Sequence, residues 1–459
     1  MSLNRLLKAA IPMALVCGPL LSQDVFELHG YMRAGLGRSS NGGEQVSFFM
    51  PGLGDNPTAG PGYRLGNETD NYVELAMDVR AYDKAGTTFK LHFRPTFRQY
   101  YSARDASADA GGSVDGSMSS TPNQMVYMRE AWGEATGIFG KSDALKDASL
   151  WAGRRFYQRH DLHIRDYFYW NNSGDGAGIE NVDFFGVGKF HYAYVQHDRN
   201  NVATWWNNNG TGSNWNPQGV VNTNVYNQNG KEVIGSHDIR VSDVTFWEGS
   251  SFTFGFQYNE PHIRKDVATS ANKNLGRQFT VEYKQSGILG GDNTLYLTKG
   301  DGSTFWNFYN NEVNTKNNWW EAMDILFIQP SPKFGMQAVV IHRVQNEDDT
   351  QPGHRDMTWT SIGARPTYFF NKYFSIAAEI GNDHFKVTGD ANTRSLTKKT
   401  IAFQISPQSS FWSRPVIRFF ATKANWNKEA LNWGSVGGLG TFGPALTGTT
   451  YGVQVEAWW

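Results

Sequence analysis

Side-chain alternation is clearest between Asn71 and Tyr82. Val73, Leu75, Met77 and Val79 fall on one face, and Tyr72, Glu74, Asp78 and Arg80 on the other. A period of two marks a β-strand, whose successive side chains point to opposite sides. A sheet face turned to bulk water carries mainly Lys, Thr and Ser. A Tyr–Glu–Asp–Arg row suits the wet lumen of a barrel whose other face meets lipid, with a solvated sheet face as the competing reading. The chain closes on a second such pattern: Tyr451, Val453, Val455, Ala457 and Trp459 share one side, Gln454, Glu456 and Trp458 the other. A last strand ending in an aromatic on its apolar face suits closure of a membrane barrel against its first strand. An ordinary final strand of a soluble sheet would alternate in the same way.

Further strands are expected over residues 30–37, 89–101, 127–134, 184–196, 238–246, 251–258, 279–285 and 294–299. The series continues with 323–328, 335–344, 360–368, 373–381, 399–405 and 415–422. Short and long connections alternate between them, the longest spanning 200–230. That is the rhythm of a meander with tight turns at one rim and long loops at the other. No stretch sustains a helical period and no linker splits the chain, so one all-β domain is expected. The exception to the pattern is Arg154–Asp183, where Arg154, Arg155, Arg159, His160, His163 and Arg165 crowd Asp161, Asp166 and Glu180 among Phe156, Tyr157, Tyr167, Phe168, Tyr169 and Trp170. It has neither period and ends in Gly174, Gly176 and Gly178. This composition reads as a loop that is itself buried against something polar, and the interior of a large β-barrel is one such place.

Composition narrows the class. There are 49 glycines, aromatics reach 14%, and only 39% of residues are hydrophobic, as expected of a wall one side chain thick around a wet interior. A secreted β-sandwich or glycosidase would look similar. The formal net charge of −1 gives no basic field for nucleic acid. Arg5, Lys8 and the apolar Ala9–Leu21 read as an export signal over residues 1–23, leaving 24–459 as the mature domain. The sole cysteine, Cys17, falls within that signal, so no disulfide is expected. No later run of about 18 apolar residues reads as a membrane helix.

Several candidate chemistries fail on their own terms. His160, Asp161, His163 and Asp166 are metal-type ligands, but their spacing fits no zinc signature and Arg159 and Arg165 compete for the same space. Glu74 and Asp166 could form a glycosidase pair, yet neighbouring arginines lower a carboxylate's pKa, the wrong direction for a general acid. The GDGAG run lacks the following helix and Lys-Ser/Thr of a phosphate cradle. Aromatics beside Arg and Asp/Glu fit sugar better. A pyranose stacks its C–H face on an aromatic ring while its hydroxyls exchange hydrogen bonds with guanidinium and carboxylate. A row of such sites favours passage over capture, because a conducting site must also release.

Those features come together in a resemblance to the maltoporin (LamB-type) family of sugar-specific outer-membrane porins. It is carried by FELHGYMRAGLG and GGEQVSFF (within 26–49), YRLGNETDNYVEL (63–75), MREA (128–131), WAGRRFYQRHDLHIRDYFYWNNSGDGAGIEN (151–181), FWSRPVIRFFATKANW (411–426) and the terminal YGVQVEAWW. The resemblance implies an 18-stranded antiparallel transmembrane barrel forming a homotrimer in outer-membrane lipid, with residues 154–183 folded inward to constrict the pore. It places an aromatic slide at Tyr31, Tyr72, Trp412 and Trp458. A polar track and constriction fall on Arg33, Arg64, Glu74, Arg129, Arg159, His163, Asp166 and Phe168. No catalytic residue, metal or cofactor is implied.

The chain departs from the family pattern in places. Phe168 stands where the family has a tyrosine and Asn171 where it has an aspartate, and a slide phenylalanine is missing near Gly291 or Asp292. The tryptophan lent by a neighbouring subunit has no counterpart in 102–121, where Tyr100 or Tyr101 is the substitute. The last long loop shortens to roughly 427–450. The resulting expectation is a passive channel for maltose, maltodextrins or related oligosaccharides. The alternatives are a weakly selective porin for small solutes and ions, or a secreted carbohydrate-binding protein or glycosidase.

Overall fold

A computed structural model describes residues 25–53, 62–100, 124–140, 142–198, 232–263, 275–302, 304, 317–347, 356–433 and 438–459. The expected signal segment, Tyr101, the 102–121 connection and the whole 200–230 connection lie outside these residues. The chain runs through β1 (Phe26–Ser39), β2 (Asp70–Lys84), β3 (Thr87–Tyr100), β4 (Gln124–Thr136), β5 (Ser149–Arg155), β6 (His160–Leu162), β7 (Tyr167–Trp170), β8 (Gly174–Asp183), β9 (Lys189–Asp198) and β10 (Glu232–Val244). It continues through β11 (Ser250–Ile263), β12 (Gly276–Ile288), β13 (Gly291–Gly302), β14 (Asn318–Ser331), β15 (Phe334–Asn346), β16 (Met357–Phe369), β17 (Phe374–Val387), β18 (Arg394–Ile405), β19 (Val416–Trp426) and β20 (Thr447–Trp458). All but β6 and β7 form one 18-stranded sheet. Each wall strand pairs antiparallel with its neighbours along the chain, and β20 returns to β1 with Tyr31 opposite Trp458. The barrel is therefore closed and has no free edge.

The alternation seen in the sequence has a physical direction. Tyr72, Glu74, Gln454 and Glu456 are buried inside the wall. Leu36 (65% exposed), Phe279 (61%), Ile362 (56%) and Phe419 (53%) stand on the outside. Buried charge with exposed leucine and phenylalanine reverses the arrangement of a water-soluble domain, and lipid is the solvent that makes it stable.

Two wall strands, β5 and β8, fall where the sequence reads as loop. The segment that leaves the wall is accordingly shorter than 154–183: Arg154 and Arg155 end β5, residues 174–183 are β8, and only 156–173 lie between them. The glycine-rich exit misled because glycine is depleted in strands. Here it is needed, since a Cβ on Gly176 or Gly178 would strike the backbone of β9 at Tyr194 or Tyr192.

Residues 156–173 cross the interior as the β6–β7 hairpin with a 3-10 turn at His163–Arg165. The hairpin is pinned to inward-facing side chains around much of the wall. His160 and Tyr169 meet Glu282 of β12 at 2.9 and 2.8 Å, and Tyr167 donates to Glu321 of β14 at 2.7 Å. Arg165 pairs with Asp383 of β17 at 3.1 Å.

A second segment also folds inward, which the sequence reading did not anticipate. In the β1–β2 connection Phe48, Met50, Tyr63, Leu65 and Asn67 are almost fully buried. Tyr63 bonds Ser361 at 2.8 Å, and its ring occupies the space over Gly363 and Gly381, where any Cβ would overlap it. Lys398 and the amide of Leu65 converge on Glu379. The two inserted segments meet where the amide of Arg64 donates to the carbonyl of Ile164 at 3.0 Å. The last long connection holds a short helix, α1 (Lys428–Asn432), capped by Asn427. Its Phe442 stacks on Phe48 at 5.7 Å and so backs the inserted segment.

Candidate functional site

Strand parity brings Tyr31, Tyr72 and Trp458 to the inner surface along one side of the barrel, and the β18–β19 connection brings Trp412 to them. Tyr72 lies 6.0 Å from Tyr31 between ring centres, and Tyr31 stands opposite Trp458 across the closing seam. Trp458 meets His163 edge-on at 5.7 Å, and His163 meets Trp412 at 5.1 Å. Trp412 comes from the β18–β19 connection, so its place was not fixed by strand alternation. It remains 37% exposed.

The row does not stop there. Phe327 of β14 lies 5.3 Å from Trp412 and stands directly across from Asp292 in the ladder. An aromatic is therefore supplied one strand away from the position where the family pattern loses one. Phe327 shares the inward face of β14 with Trp319, Glu321, Met323 and Ile325, all of which are buried.

Beside the rings runs a belt of paired charge. Arg33 forks onto Asp70 with bonds of 2.7 and 2.9 Å, contacts Glu68 at 3.1 Å and reaches Asp166 at 3.6 Å. Its guanidinium also lies 4.9 Å from the centre of the Tyr72 ring. Arg64 bridges Glu68 and Glu456, the latter at 2.9 Å, and donates to the hydroxyl of Tyr31. Tyr72 donates to Glu74, which takes a second bond from Arg94 at 3.1 Å. Arg129 acts electrostatically on Tyr72 from β4. Asp166 holds a left-handed backbone (φ 54°) at the end of the 3-10 turn, a conformation tolerated by Asp because of its short polar side chain. Glu456 is the hub that the sequence did not single out. Arg64, Arg414 and Arg418 all converge on it within 2.9 Å. A buried carboxylate shared by three guanidiniums stays ionised and holds all three in place.

Arg159 and Phe168 form a different arrangement. The guanidinium is clasped between the rings of Phe156 and Phe168, at 3.9 and 3.8 Å, which fixes its plane and leaves its edge toward the interior. Burial holds its pKa below the usual guanidinium value. His163 lies against Phe411, Trp412 and Trp458 and accepts a hydrogen bond at Nε2 from Arg414 at 3.1 Å. Burial, then the positive charges of Arg64 and Arg414, hold its pKa well below the ordinary histidine value despite the opposing Glu456, so the ring is neutral. His160 and Asp161 of the rejected metal set do not converge with it, since His160 is committed to Glu282. Among the described residues a different trio, Glu27, His29 and Asp78, brings metal-type ligand atoms within 4.8 Å, mostly exposed.

All twelve residues expected from the sequence thus lie on the inner wall or on the segments inserted into it. The expected Tyr100 or Tyr101 substitute falls outside the side chains the structure describes.

Solved structures similar in fold include OccAB2 of Acinetobacter baumannii, 9% identical with TM-score 0.50, covering 95% of this chain and 98% of that one. OmpF of Salmonella typhi, in a complex with daunomycin, is 10% identical with TM-score 0.45 over 96% and 99%. OmpT of Vibrio cholerae, in a trimer form, is 9% identical with TM-score 0.37 over 95% and 99%. At 9% identity the likeness to OccAB2 speaks for the barrel fold alone. The family model of the LamB porin matches residues 26–459, nearly the whole chain, and with the closed 18-stranded barrel this establishes that the chain belongs to the LamB porin family of outer-membrane channels.

Proposed function

We propose that this channel carries maltose, maltodextrins or related oligosaccharides by facilitated diffusion, with residues 156–173 and the inserted β1–β2 connection narrowing its lumen. The observation that carries the reading is the unbroken row Tyr72–Tyr31–Trp458–His163–Trp412–Phe327 beside Arg33, Arg64, Glu74 and Asp166. Each aromatic offers a face for the apolar side of a pyranose, and the fixed guanidiniums and carboxylates exchange hydrogen bonds with its edge hydroxyls. Contacts that overlap along a track let a ring move from one to the next without losing all of them at once, which keeps each step's barrier low. Because the charges are already paired with one another, they offer polarity without a net field, which suits an uncharged solute. The channel works as a homotrimer and is exported by the 1–23 signal.

Planar-bilayer recording with maltose, sucrose and longer dextrins tests this directly. The sugar channel shows concentration-dependent block of its ion current, with longer dextrins blocking at lower concentration. A weakly selective porin would conduct ions unaffected by any of them. A secreted sugar-binding protein or glycosidase would extract without detergent and, if an enzyme, release reducing ends from a glucan.

A further inference from the structure

The outer face of the barrel is uneven in charge. Across β16, β17, β18, β19, β20 and β1 every carboxylate belongs to the inward set: Glu379 and Asp383 on β17, Glu456 on β20 and Glu27 on β1. The outward set of the same six strands contains no acidic residue. It does contain Arg38, Lys386, Lys399 and Lys423, all exposed, and none has a carboxylate partner among the described residues. Elsewhere on the wall the outward cations Arg154 and Arg277 are paired, with Asp175 at 2.6 Å and Asp301 at 3.3 Å, and Lys299 stands alone between Phe279 and Trp320 rather than beside a second cation.

Lys399 and Lys423 are direct cross-strand partners. Their neighbours in sequence fix which way they point, because Lys398 is buried against Glu379 inside and Thr400 bonds Thr422 inside at 2.9 Å. Two ammonium-bearing side chains therefore leave the same outer face from positions about 5 Å apart, an arrangement that is destabilising unless an anion lies between them. All four cations sit in the half of their strands nearer the long-loop rim, the outward-facing side of such a barrel. Beyond Lys399 and Lys423, away from that rim, the same face turns apolar through Ile401, Phe403 and Phe419.

We infer that this face binds a phosphate-bearing lipid headgroup of the outer leaflet, with Lys399 and Lys423 gripping the phosphate, Arg38 adding positive charge two strands away, and the acyl chains lying on the apolar band beneath. Flexible lysine stems that run along an apolar wall and end at headgroup level are suited to an anionic lipid. The junction of unpaired positive charge with greasy surface matches an amphiphile better than a free ion.

The test uses the full-length protein in an uncharged polyoxyethylene detergent, comparing the parent with K399Q/K423Q by thermal unfolding of the folded barrel. Bis-phosphorylated lipid A should raise the parent's unfolding midpoint in a saturable way, monophosphorylated lipid A less, and phosphatidylcholine or inorganic phosphate not at all. The double variant should lose at least half of the lipid-dependent rise while being no less stable than the parent without lipid. A full lipid response in the variant would overturn the inference, as would an equal response to inorganic phosphate. A change in subunit assembly of the lipid-free variant would show instead that the face is covered by a second copy of the chain.

Discussion

Trp412→Ala is the sharpest test of the slide. Trp412 has one side packed against Phe327, Phe411 and His163 at 5.0–5.3 Å between ring centres and leaves 37% of its surface open to the lumen. A pyranose stacked on that open face covers about 60 Å² of indole, roughly a third of what a buried aromatic contributes. At about 25 cal/mol per Å² this is worth about 1.5 kcal/mol, or roughly a tenfold change in sugar affinity. Trp412→Ala should therefore raise the maltose or maltotriose concentration for half-block by about tenfold, and Trp412→Phe, which keeps about half of the face, by about threefold. Sugar-free conductance serves as the internal control, because ions do not need the ring. The measurement is a titration of bilayer current with sugar, supported by urea unfolding to separate loss of stacking from loss of folding. If half-block of Trp412→Ala stays within about twofold of the parent, the aromatic row is not a sugar track and the proposed mechanism fails.

Other consequences follow from neighbouring geometry. Phe168→Tyr adds one hydroxyl beside the clasped Arg159, and one neutral hydrogen bond of about 0.5–1.5 kcal/mol should slow sugar release by about 2- to 12-fold in current-noise analysis; an unchanged off-rate would place Phe168 away from the sugar's path. Gly381→Ala would overlap the ring of Tyr63, so the inserted β1–β2 connection should loosen at a cost of about 1–3 kcal/mol in urea unfolding, with higher ion conductance; no change in either would mean that the segment is not held there. Glu456→Gln leaves Arg64, Arg414 and Arg418 without their shared anion, and a loss of about 3–5 kcal/mol is expected in the same assay.

The pH dependence has a definite sign. The folded pKa of His163 lies below its ordinary value, so the unfolded chain takes up a proton below about pH 6.5 that the folded chain refuses. This residue's contribution to stability is therefore complete above that pH and is lost progressively as the pH falls from there toward the lower folded value. Sugar block should stay flat from pH 8 to about 5.5, whereas a histidine titrating normally would give a step near 6.5; such a step, absent in His163→Asn, would contradict the neutral ring.

Much of the architecture was legible because a barrel wall is a local object. Strand alternation needs only neighbouring residues, so Tyr72 and Glu74 could be assigned to the same face as each other, and Trp458 to the face opposite Trp459, without tertiary information. The same rule failed at β5 and β8, where glycines selected for close packing against β9 look like turn signals to a local reading. The inserted β1–β2 connection was illegible for a related reason. Tyr63 is buried only because Gly363 and Gly381, some 300 residues away in the chain, leave room for its ring, and no local pattern encodes that distance.

The sequence by itself therefore determined the alternating wall, the shared face of Tyr72 and Glu74 and the face of Trp458, and the unusual chemistry of residues 154–183. Only the tertiary structure decided the rest: that Phe327, across from Asp292, meets Trp412, that Glu456 gathers three arginines from separate elements, and that Arg159 is clasped between two phenyl rings. The physical reason is the closure of the barrel. Pairing fixes which side of the wall a residue faces, but which inward residues meet depends on the stagger of eighteen strands and on segments that cross the lumen, and both are set by contacts between residues far apart in the chain.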